Sequence, residues 1–256
     1  MKTLPDISLT YFVVLLAAAL IGGAANALAG GGTFLVFPAL LLGGMDSIVA
    51  NATSAASMFP GNVASSLVFK RGTFYSPILL RSIFAVSVVG GAAGTTLVLM
   101  TPSERFSRLV PYLMLVAAVV FSFSDRIARA TRNGSGNIRW VPLLAGHFLI
   151  SVYGGYFGAG MGVLMIILFW VAADLDVKTS GALRLYSALG INSLAVAIFA
   201  ARGVVAWKFA VPMALAAIVG GYWGAHLVKR LSITTARRSV LVYAWVITVW
   251  LLIRSS

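Results

Sequence analysis

The chain has 256 residues, of which 60% are hydrophobic and 10% are charged, and its mean hydropathy is +0.98. A soluble globular domain has about 25% charged residues, so this composition excludes that class. At about 20 apolar residues per crossing, the apolar content predicts a polytopic membrane protein. The formal charge is +13, and the basic residues lie mostly between apolar runs. This placement indicates that they control membrane topology and contact lipid head groups rather than nucleic acid.

Long apolar runs, broken by charged or turn residues, predict the membrane segments in chain order. In the first half they cover residues 9–28, 33–44, 47–69, 77–100 and 107–124, and in the second half 140–157, 162–173, 177–201, 208–229 and 236–253. We therefore predict an all-α polytopic membrane protein with about 8 to 10 membrane segments. The first run is interpreted as a retained helix and not as a signal peptide.

A polar stretch divides these segments into two sets with the same layout. We assign residues 1–124 to a first transmembrane repeat, 125–139 to a basic polar linker and 140–256 to a second transmembrane repeat. Residues 29–38 (AGGGTFLVFP) align without a gap with residues 158–167 (GAGMGVLMII). An internal duplication, common in transporters, is further indicated by two matches: Thr53-Ser54 with Thr179-Ser180, and Asn62 with Asn192.

One segment in each half is too short to cross a membrane. Residues 33–44 and 162–173 each provide about 18 Å of helix, against about 30 Å of hydrocarbon. Each follows a glycine-rich break, and non-helical backbone at membrane depth is tolerated where it is buried in protein or lines a wet cavity. We therefore predict two half-helices beside a central site.

The distribution of basic residues bears on the orientation of the two halves. An odd number of crossings per half makes the repeats inverted and places ten basic residues on one face and five on the other. Re-entrant half-helices would instead make the repeats parallel, and the number of basic residues would then differ less between the two faces. Because basic residues concentrate on one side of a membrane, we favour inverted repeats.

The glycine-rich breaks are the first candidates for a binding site. A half-helix that begins at a break has unpaired backbone N–H groups and the positive end of its dipole, which together favour an anion. The alternative role of such glycines is close helix packing. The candidates are Gly30, Gly31, Gly32 and Thr33 in the first half and Gly158, Gly160 and Gly162 in the second.

Polar side chains within the apolar segments are the second set of candidates. Their hydroxyl and amide groups suit the oxygens of an anion, although hydrogen bonds between helices, or helix starts after Asp46 and Asp176, are alternative roles. Arg184 lies about two turns into its segment and would add positive charge, unless it snorkels or pairs with a nearby aspartate. The other candidates are Asn51, Thr53, Ser54 and Asn62 in the first half and Thr179, Ser180 and Asn192 in the second.

Other chemistry has little support in the sequence. No apolar segment contains Glu, the few Asp lie at segment ends, and no cysteine is present. The common hydrolase, zinc-protease and nucleotide-binding motifs are missing as well. We therefore expect no catalytic residue, no metal site and no cofactor. His147 and His226 are interpreted as histidines bonded to their neighbours rather than as proton carriers.

Taken together, the motifs resemble one known family. AGGGTFLVFPALLLGG, the Asn-Ala-Thr-Ser and the Lys-Arg-Gly that follow, and the later GGYFGAGMGVL, KTSGALR, Asn192 and ARGVVAW are similar to the sulfite exporter TauE/SafE family. The resemblance covers nearly the whole chain. It implies a bacterial inner-membrane permease for small sulfur-containing anions. Met161 and Ile167 depart from the glycine and the proline common in the family's second motif.

We therefore expect a multi-pass protein of the cell inner (plasma) membrane that is not an enzyme. The leading hypothesis is a secondary transporter for sulfite, an organosulfonate or a related sulfur oxyanion, bound between the two glycine-rich half-helix N-termini. The expected partners are this small anionic substrate and membrane lipid, with a homo-oligomer left open. The alternative hypothesis is a non-transporting membrane subunit or assembly platform.

Overall fold

The computed structural model describes residues 8–68, 76–131, 138–227 and 233–255. Over these ranges the chain forms ten α-helices and no strand, which confirms the predicted all-helical fold class. The helices are α1 Leu9–Ala29, α2 Thr33–Leu42, α3 Ser47–Val68, α4 Pro77–Met100, α5 Ser103–Thr131, α6 Trp140–Tyr156, α7 Met161–Ala173, α8 Val177–Ala201, α9 Trp207–Leu227 and α10 Ile233–Ser255.

Local chemistry explains where several helices begin and end. The Ser8 hydroxyl caps α1 by accepting a hydrogen bond from Tyr11 N over 3.3 Å. α1 ends at Gly30, whose φ of +76° is a left-handed conformation that glycine adopts without strain. α4 begins with Pro77, whose missing N–H is not needed at a helix start.

Each short helix folds back along the helix before it. Tyr11 Oη of α1 donates to Ala39 O of α2 over 2.7 Å, and a Cβ placed on Gly22 of α1 would lie 2.9 Å from Val36 Cγ2. At 10 and 13 residues, α2 and α7 reach about 15 and 20 Å, too short for the hydrocarbon core. The α6–α7 hairpin pairs in the same antiparallel sense, through Gly146 with Leu168 and Gly154 with Met161.

The helices α1, α3 and α9 form one bundle and run in the same direction. Leu20 and Ala24 of α1 pack against Gly220 and Gly224 of α9, so the contacts occur in the same order along both helices. Small residues allow these backbones to approach closely, which is a common way for helices to associate in membranes. α3 packs on α9 in the same sense, through Gly61 with Ala217 and Ser65 with Gly221.

The helices α4, α6 and α8 form a second bundle that runs in the opposite direction to the first. α4 follows α3 in the chain and ends beside the start of α3, where Ser103 Oγ donates to Asp46 Oδ1 over 2.6 Å. α6 and α8 run parallel to α4, again through small residues. The contacts are Gly90 with Ser151, Gly94 with Val152, Ser87 with Gly190 and Gly91 with Ile191.

The helices α5 and α10 pack on each other and on the short helices. Phe121 of α5 stacks on Phe34 of α2 with 6.3 Å between ring centroids, and Trp245 Nε1 of α10 donates to Ser122 Oγ of α5 over 3.0 Å. Phenylalanines such as Phe34 and Phe121 fill the core between the elements. Large apolar side chains also cover the outer surface, as expected for a surface in contact with lipid.

The helix lengths support a multi-pass membrane protein. Five helices are long and apolar enough to cross a membrane by length and composition; they span Leu9–Ala27, Pro77–Met100, Ser103–Phe123, Thr179–Ala201 and Trp207–His226. α5 continues to Thr131, past the predicted segment end at residue 124, because the alanine and arginine in 125–131 favour a helix. Within the segment interpreted as a linker, residues 132–137 lie outside the described residues.

Candidate functional site

The two glycine-rich breaks contact each other at the centre of the fold. A Cβ placed on Gly30, at the end of α1, would lie 3.2 Å from Gly162 Cα, in the first turn of α7. Beside this contact is a cavity of about 40 Å³ between α1, α2, α3, α6, α7 and α8. Both halves of the chain therefore contribute to one central cavity.

Arg184 of α8 lies in the wall of this cavity and is only 5% exposed. Its Nη1 donates to Asn26 O over 3.1 Å and its Nη2 donates to Ala27 O over 3.3 Å. These carbonyls belong to the last turn of α1, where the helix dipole makes a positive charge favourable, and Asn26 O also accepts from Gly30 N over 3.1 Å. The side chain thus neither snorkels nor uses a carboxylate for these hydrogen bonds, contrary to the two alternatives in the sequence analysis.

Two features of Arg184 are relevant to a ligand. Its Nε is buried and has no hydrogen-bond partner among the described residues. A buried unpaired donor on a charged group costs free energy unless a partner is supplied, so this nitrogen is suited to an acceptor that the protein lacks. Gly30 and Gly162 make room for the guanidinium, because a Cβ at either position would lie 2.6 or 3.1 Å from Nη1.

An asparagine pair forms the polar wall on the first half of the chain. Asn26 Oδ1 accepts a hydrogen bond from Gly32 N over 3.1 Å, and Asn26 Nδ2 donates to Asn62 Oδ1 over 2.8 Å. The backbone donor fixes the orientation of the Asn26 amide, and this in turn fixes that of Asn62. Asn62 Nδ2 therefore remains a donor on a side chain that lines the cavity.

Two further asparagines line the cavity with their amides oriented by carbonyl groups. Asn51 Nδ2 of α3 donates to Tyr156 O over 3.0 Å, and Asn192 Nδ2 of α8 donates to Ala188 O over 2.8 Å. Because a carbonyl can only accept, these bonds assign the nitrogen of each amide, and the Oδ1 of each is the acceptor that these bonds do not use. The cavity wall thus combines hydrogen-bond donors with acceptors.

The structure brings together eight of the fifteen predicted site residues at the cavity. They are Gly30, Thr33, Asn51, Asn62, Gly158, Gly162, Arg184 and Asn192. The other seven are not among the lining residues; they are Gly31, Gly32, Thr53, Ser54, Gly160, Thr179 and Ser180. A ligand-binding role for any of the fifteen stays a prediction.

Several of the seven have other contacts. Gly32 N already donates to an amide, as described above, and Gly160 faces Ala117 and Phe34 rather than the cavity. Thr53 Oγ1 accepts a hydrogen bond from Ala206 N over 3.0 Å and so joins α3 to the start of α9.

The two aspartates have the predicted role at helix starts. The Asp46 carboxylate accepts a hydrogen bond from Ile48 N, and the Asp176 carboxylate accepts one from Thr179 N, each over 3.0 Å.

Asn26 is the main cavity residue that the sequence analysis missed. It lies in the last turn of the apolar helix α1, four residues before the first break. An amide this close to a glycine break was a usable signal, because a buried amide needs partners and a break supplies unpaired backbone groups. Its counterpart in the repeat alignment, Gly155, lacks a side chain, so the matching of the two halves did not reveal it.

The two histidines lie outside the cavity lining. Ser87 Oγ donates to Ile83 O over 2.8 Å, so its contact with His147 Nε2, also 2.8 Å, requires the histidine to be the donor. His226 Nδ1 contacts Tyr222 O over 2.9 Å on an exposed part of α9. Both are bonded to neighbouring groups, in agreement with the interpretation from the sequence.

An apolar helical bundle that encloses a polar cavity with a buried cation is typical of multi-pass membrane transporters. The chain belongs to the sulfite exporter TauE/SafE family, whose model matches residues 15–251. The family assignment confirms the resemblance inferred from the glycine-rich motifs.

Several curated proteins are similar to the chain over most of its length. A "probable membrane transporter protein" of Haemophilus influenzae is 26% identical over 246 residues, 95% of either chain. "Probable membrane transporter protein ORF9" of a Sinorhizobium species is 24% identical over 86% of this chain and 84% of its own. "Probable membrane transporter protein YfcA" of Escherichia coli K12 is 24% identical over 89% and 82%. No solved structure shows significant similarity to the chain.

Proposed function

We propose that the protein is a secondary transporter of the cell inner membrane that binds a small oxyanion, such as sulfite or the head group of an organosulfonate, in the central cavity. The observation that carries this proposal is the buried guanidinium of Arg184, whose Nε has no partner among the described residues. An oxyanion at this nitrogen would supply both the missing acceptor and the compensating charge.

The neutral groups around Arg184 complete the proposed site. Asn62 Nδ2 and the Thr33 hydroxyl are donors on side chains that line the cavity, and Gly162 lines it in the first turn of α7. Glycine at that position lets a ligand approach the backbone N–H closely. Together these groups offer several hydrogen bonds to the oxygens of one anion.

The cavity volume limits the size of the ligand. A water molecule needs roughly 10–15 Å³ of such volume, so a cavity of about 40 Å³ has room for a small oxyanion but not for a large organic ligand. This matches a sulfite-sized ion or the charged end of a sulfonate. In this conformation the site would hold the head group of a longer substrate and exclude its remainder.

We further propose that the two halves are inverted repeats, with the site between them. In support, α1 and α3 run in one direction and their counterparts α6 and α8 in the other. The packing partners also exchange, since α1 packs on α9 as α6 packs on α4, and α3 packs on α9 as α8 packs on α4. Repeats related in this way are a common basis for alternating access to a central site.

The opposed directions also support an orientation in the membrane. The starts of α5 and α9 share one face with the start of α3, which gives that face Arg105, Arg108, Arg202 and Lys208. The starts of α4 and α6 lie at the other face, with Arg81 and Arg139. Apart from Arg184 in the cavity wall, the remaining basic side chains lie outside the described ones. By the positive-inside rule we assign the face of Arg139 to the cytoplasm, because the inverted arrangement predicted from the sequence assigns ten basic residues, Arg139 among them, to one face and five to the other.

Transport of sulfite by purified protein in proteoliposomes tests the proposed function. We expect wild-type protein to accelerate flux down an imposed gradient, Arg184→Gln to abolish it, and Arg184→Lys to retain part of it, since Lys keeps the charge but loses the forked geometry. Ser193→Ala, at an exposed position of α8 outside the cavity lining, is the matched control and should leave flux unchanged. Full flux with Arg184→Gln would refute the proposed site.

A further inference from the structure

We propose that the cavity selects singly charged oxyanions over doubly charged ones, so that sulfite is taken as hydrogen sulfite. This inference rests on the proposed function and specifies the charge state of its substrate. It follows from the number of charges around the cavity and from the orientation of the amides in its wall.

The cavity wall contains one ionisable side chain. The lining residues come from α1, α2, α3, α6, α7 and α8 and from both breaks, and among them only Arg184 has a titratable or charged group. The remaining lining side chains are amides, one hydroxyl and apolar groups. Arg184 stays protonated under all ordinary conditions, so the wall contributes one positive charge.

The helix ends add little to this charge. Each helix terminus is equivalent to about half an elementary charge, positive at the N-terminus and negative at the C-terminus. At the first break the end of α1 lies beside the start of α2, and at the second break the end of α6 lies beside the start of α7. The two terminal charges at each break therefore oppose each other, and the net charge near the ligand stays close to that of Arg184.

The amide oxygens in the wall fit a ligand that carries a proton. Carbonyl groups hold the nitrogens of Asn51 and Asn192, so the Oδ1 of each amide is an acceptor on a side chain that lines the cavity. An amide oxygen and an oxygen of a fully deprotonated anion repel each other, whereas a hydroxyl group on the ligand can donate a hydrogen bond to the amide oxygen. A hydrogen oxyanion satisfies both the guanidinium and such an acceptor.

A second negative charge would be left without compensation. The site is buried within an apolar bundle, where an unpaired charge is far less stable than in water. A monoanion gives a neutral complex with Arg184, while a dianion gives a complex with one net negative charge. We therefore expect at least about a tenfold preference for the monoanion.

Binding to the full-length protein in detergent, measured by isothermal titration calorimetry, tests the proposal with two anions of similar size and shape. Methanesulfonate is a monoanion and sulfate is a dianion at neutral pH. We expect methanesulfonate to bind at least about tenfold more tightly than sulfate. Equal affinities, or tighter binding of sulfate, would overturn the charge selectivity.

A pH series with sulfite supplies an independent measurement. Above the second pKa of sulfurous acid, the apparent Kd should rise about tenfold per pH unit, because the hydrogen sulfite fraction falls by that factor. Methanesulfonate is the control, and its Kd should not change, since the lining has no group that titrates in this range. A Kd for sulfite that is constant or falls with pH contradicts the inference.

These outcomes separate the inference from the proposed function. If both anions bind with similar affinity and Arg184→Gln abolishes binding, the oxyanion site stands and only its charge selectivity is wrong. If neither anion nor sulfite binds, both proposals fail.

A charge-addition variant provides a gain-of-function test. The alignment of Thr53-Ser54 with Thr179-Ser180 places Met58 at the position that matches Arg184, and Met58 also lines the cavity. Met58→Arg should therefore raise the affinity for sulfate at least about tenfold relative to methanesulfonate, whereas Met58→Gln should not. An unchanged ratio in a folded Met58→Arg protein contradicts the proposal, and if that variant does not fold, the wild-type anion series decides.

Discussion

At the scale of single residues, the central fact is that backbone carbonyls, and not carboxylates, hold the Arg184 guanidinium. The carbonyls of Asn26 and Ala27 orient the side chain without cancelling its full charge. A carboxylate partner would neutralise the cavity and make an anion unnecessary. The two glycines that face the guanidinium are part of the same arrangement, because any side chain there would displace it.

Gly162→Ala tests whether the guanidinium needs this space, because it adds a single methyl group beside it. The added Cβ would lie 3.0 Å from Arg184 Cδ and 3.1 Å from Nη1, closer than nearly all Cβ contacts, so the guanidinium must shift. We expect anion affinity to fall at least about tenfold in calorimetry, which corresponds to about 1.4 kcal/mol. Gly181→Ala on α8 is the control, because its Cβ has no neighbour within 4 Å; its anion affinity should equal that of the wild type.

Asn26→Ala tests the amide pair. The substitution removes a partner of Gly32 N and a partner of Asn62, and leaves a backbone donor unpaired near the first break. We expect the free energy of unfolding to fall by about 1–3 kcal/mol, seen as a lower Tm in detergent. Ser193→Ala, which loses a hydrogen bond within one helix, should change the Tm much less. Equal effects would show that the pair contributes nothing specific.

At the scale of elements, glycine has two different roles in this fold. At the breaks it allows the left-handed turns that end α1 and precede α7, at Gly30 and Gly160. Along the long helices it allows backbone contact between neighbours, as at Gly220 against Leu20 O and Gly94 against Val152 O. Substitutions at the second kind should therefore affect assembly of the bundle more than ligand affinity alone.

Gly220→Val and Gly94→Val test the two bundles separately. In each case a Cβ would overlap a carbonyl oxygen of the neighbouring helix, which cannot move without displacing that helix. We expect each variant to lose at least about 3 kcal/mol of stability and to elute as aggregate in size-exclusion chromatography. A monodisperse protein with unchanged Tm would mean that these helices are not packed as described.

At the scale of the whole molecule, α1, α3 and α9 form one bundle, and α4, α6 and α8 form a second that runs in the opposite direction. Each bundle combines helices from both halves. The cavity lies where these bundles and the two short hairpins meet. The arrangement bears on the proposed transport, because movement of one bundle against the other would change the surroundings of the cavity. The helix directions also predict which loops lie on the same side of the membrane.

Single-cysteine variants can test the predicted side of each loop directly, because the chain has no cysteine of its own. We expect Arg105→Cys and Lys208→Cys to react with an impermeant maleimide from one side of the membrane, and Arg81→Cys and Arg139→Cys from the other. By the orientation proposed above, the first pair should be labelled in intact cells and the second pair after lysis. Labelling of Arg139→Cys and Lys208→Cys from the same side would exclude the inverted arrangement.

The sequence predicts the helices well and their contacts poorly. The segments at 33–44 and 162–173 correspond to α2 at Thr33–Leu42 and α7 at Met161–Ala173, since glycine and charge end apolar runs by local chemistry. The partners of Arg184 could not be predicted in this way, because Asn26 and Ala27 are more than 150 residues away in the chain. Contacts over such separations depend on how all the helices pack.

By itself, the sequence determined the class of protein, the number and approximate bounds of the helices, and the two glycine breaks, because apolar content and backbone flexibility are local properties. Tertiary structure decided which of the polar candidates share a cavity. Gly31, Gly160 and Thr53 satisfied the same sequence criteria as Gly30, Gly162 and Asn51, yet only the latter line it. The direction in which a residue faces depends on helix rotation and long-range packing, and the sequence pattern of a nearly uniformly apolar helix does not specify that rotation.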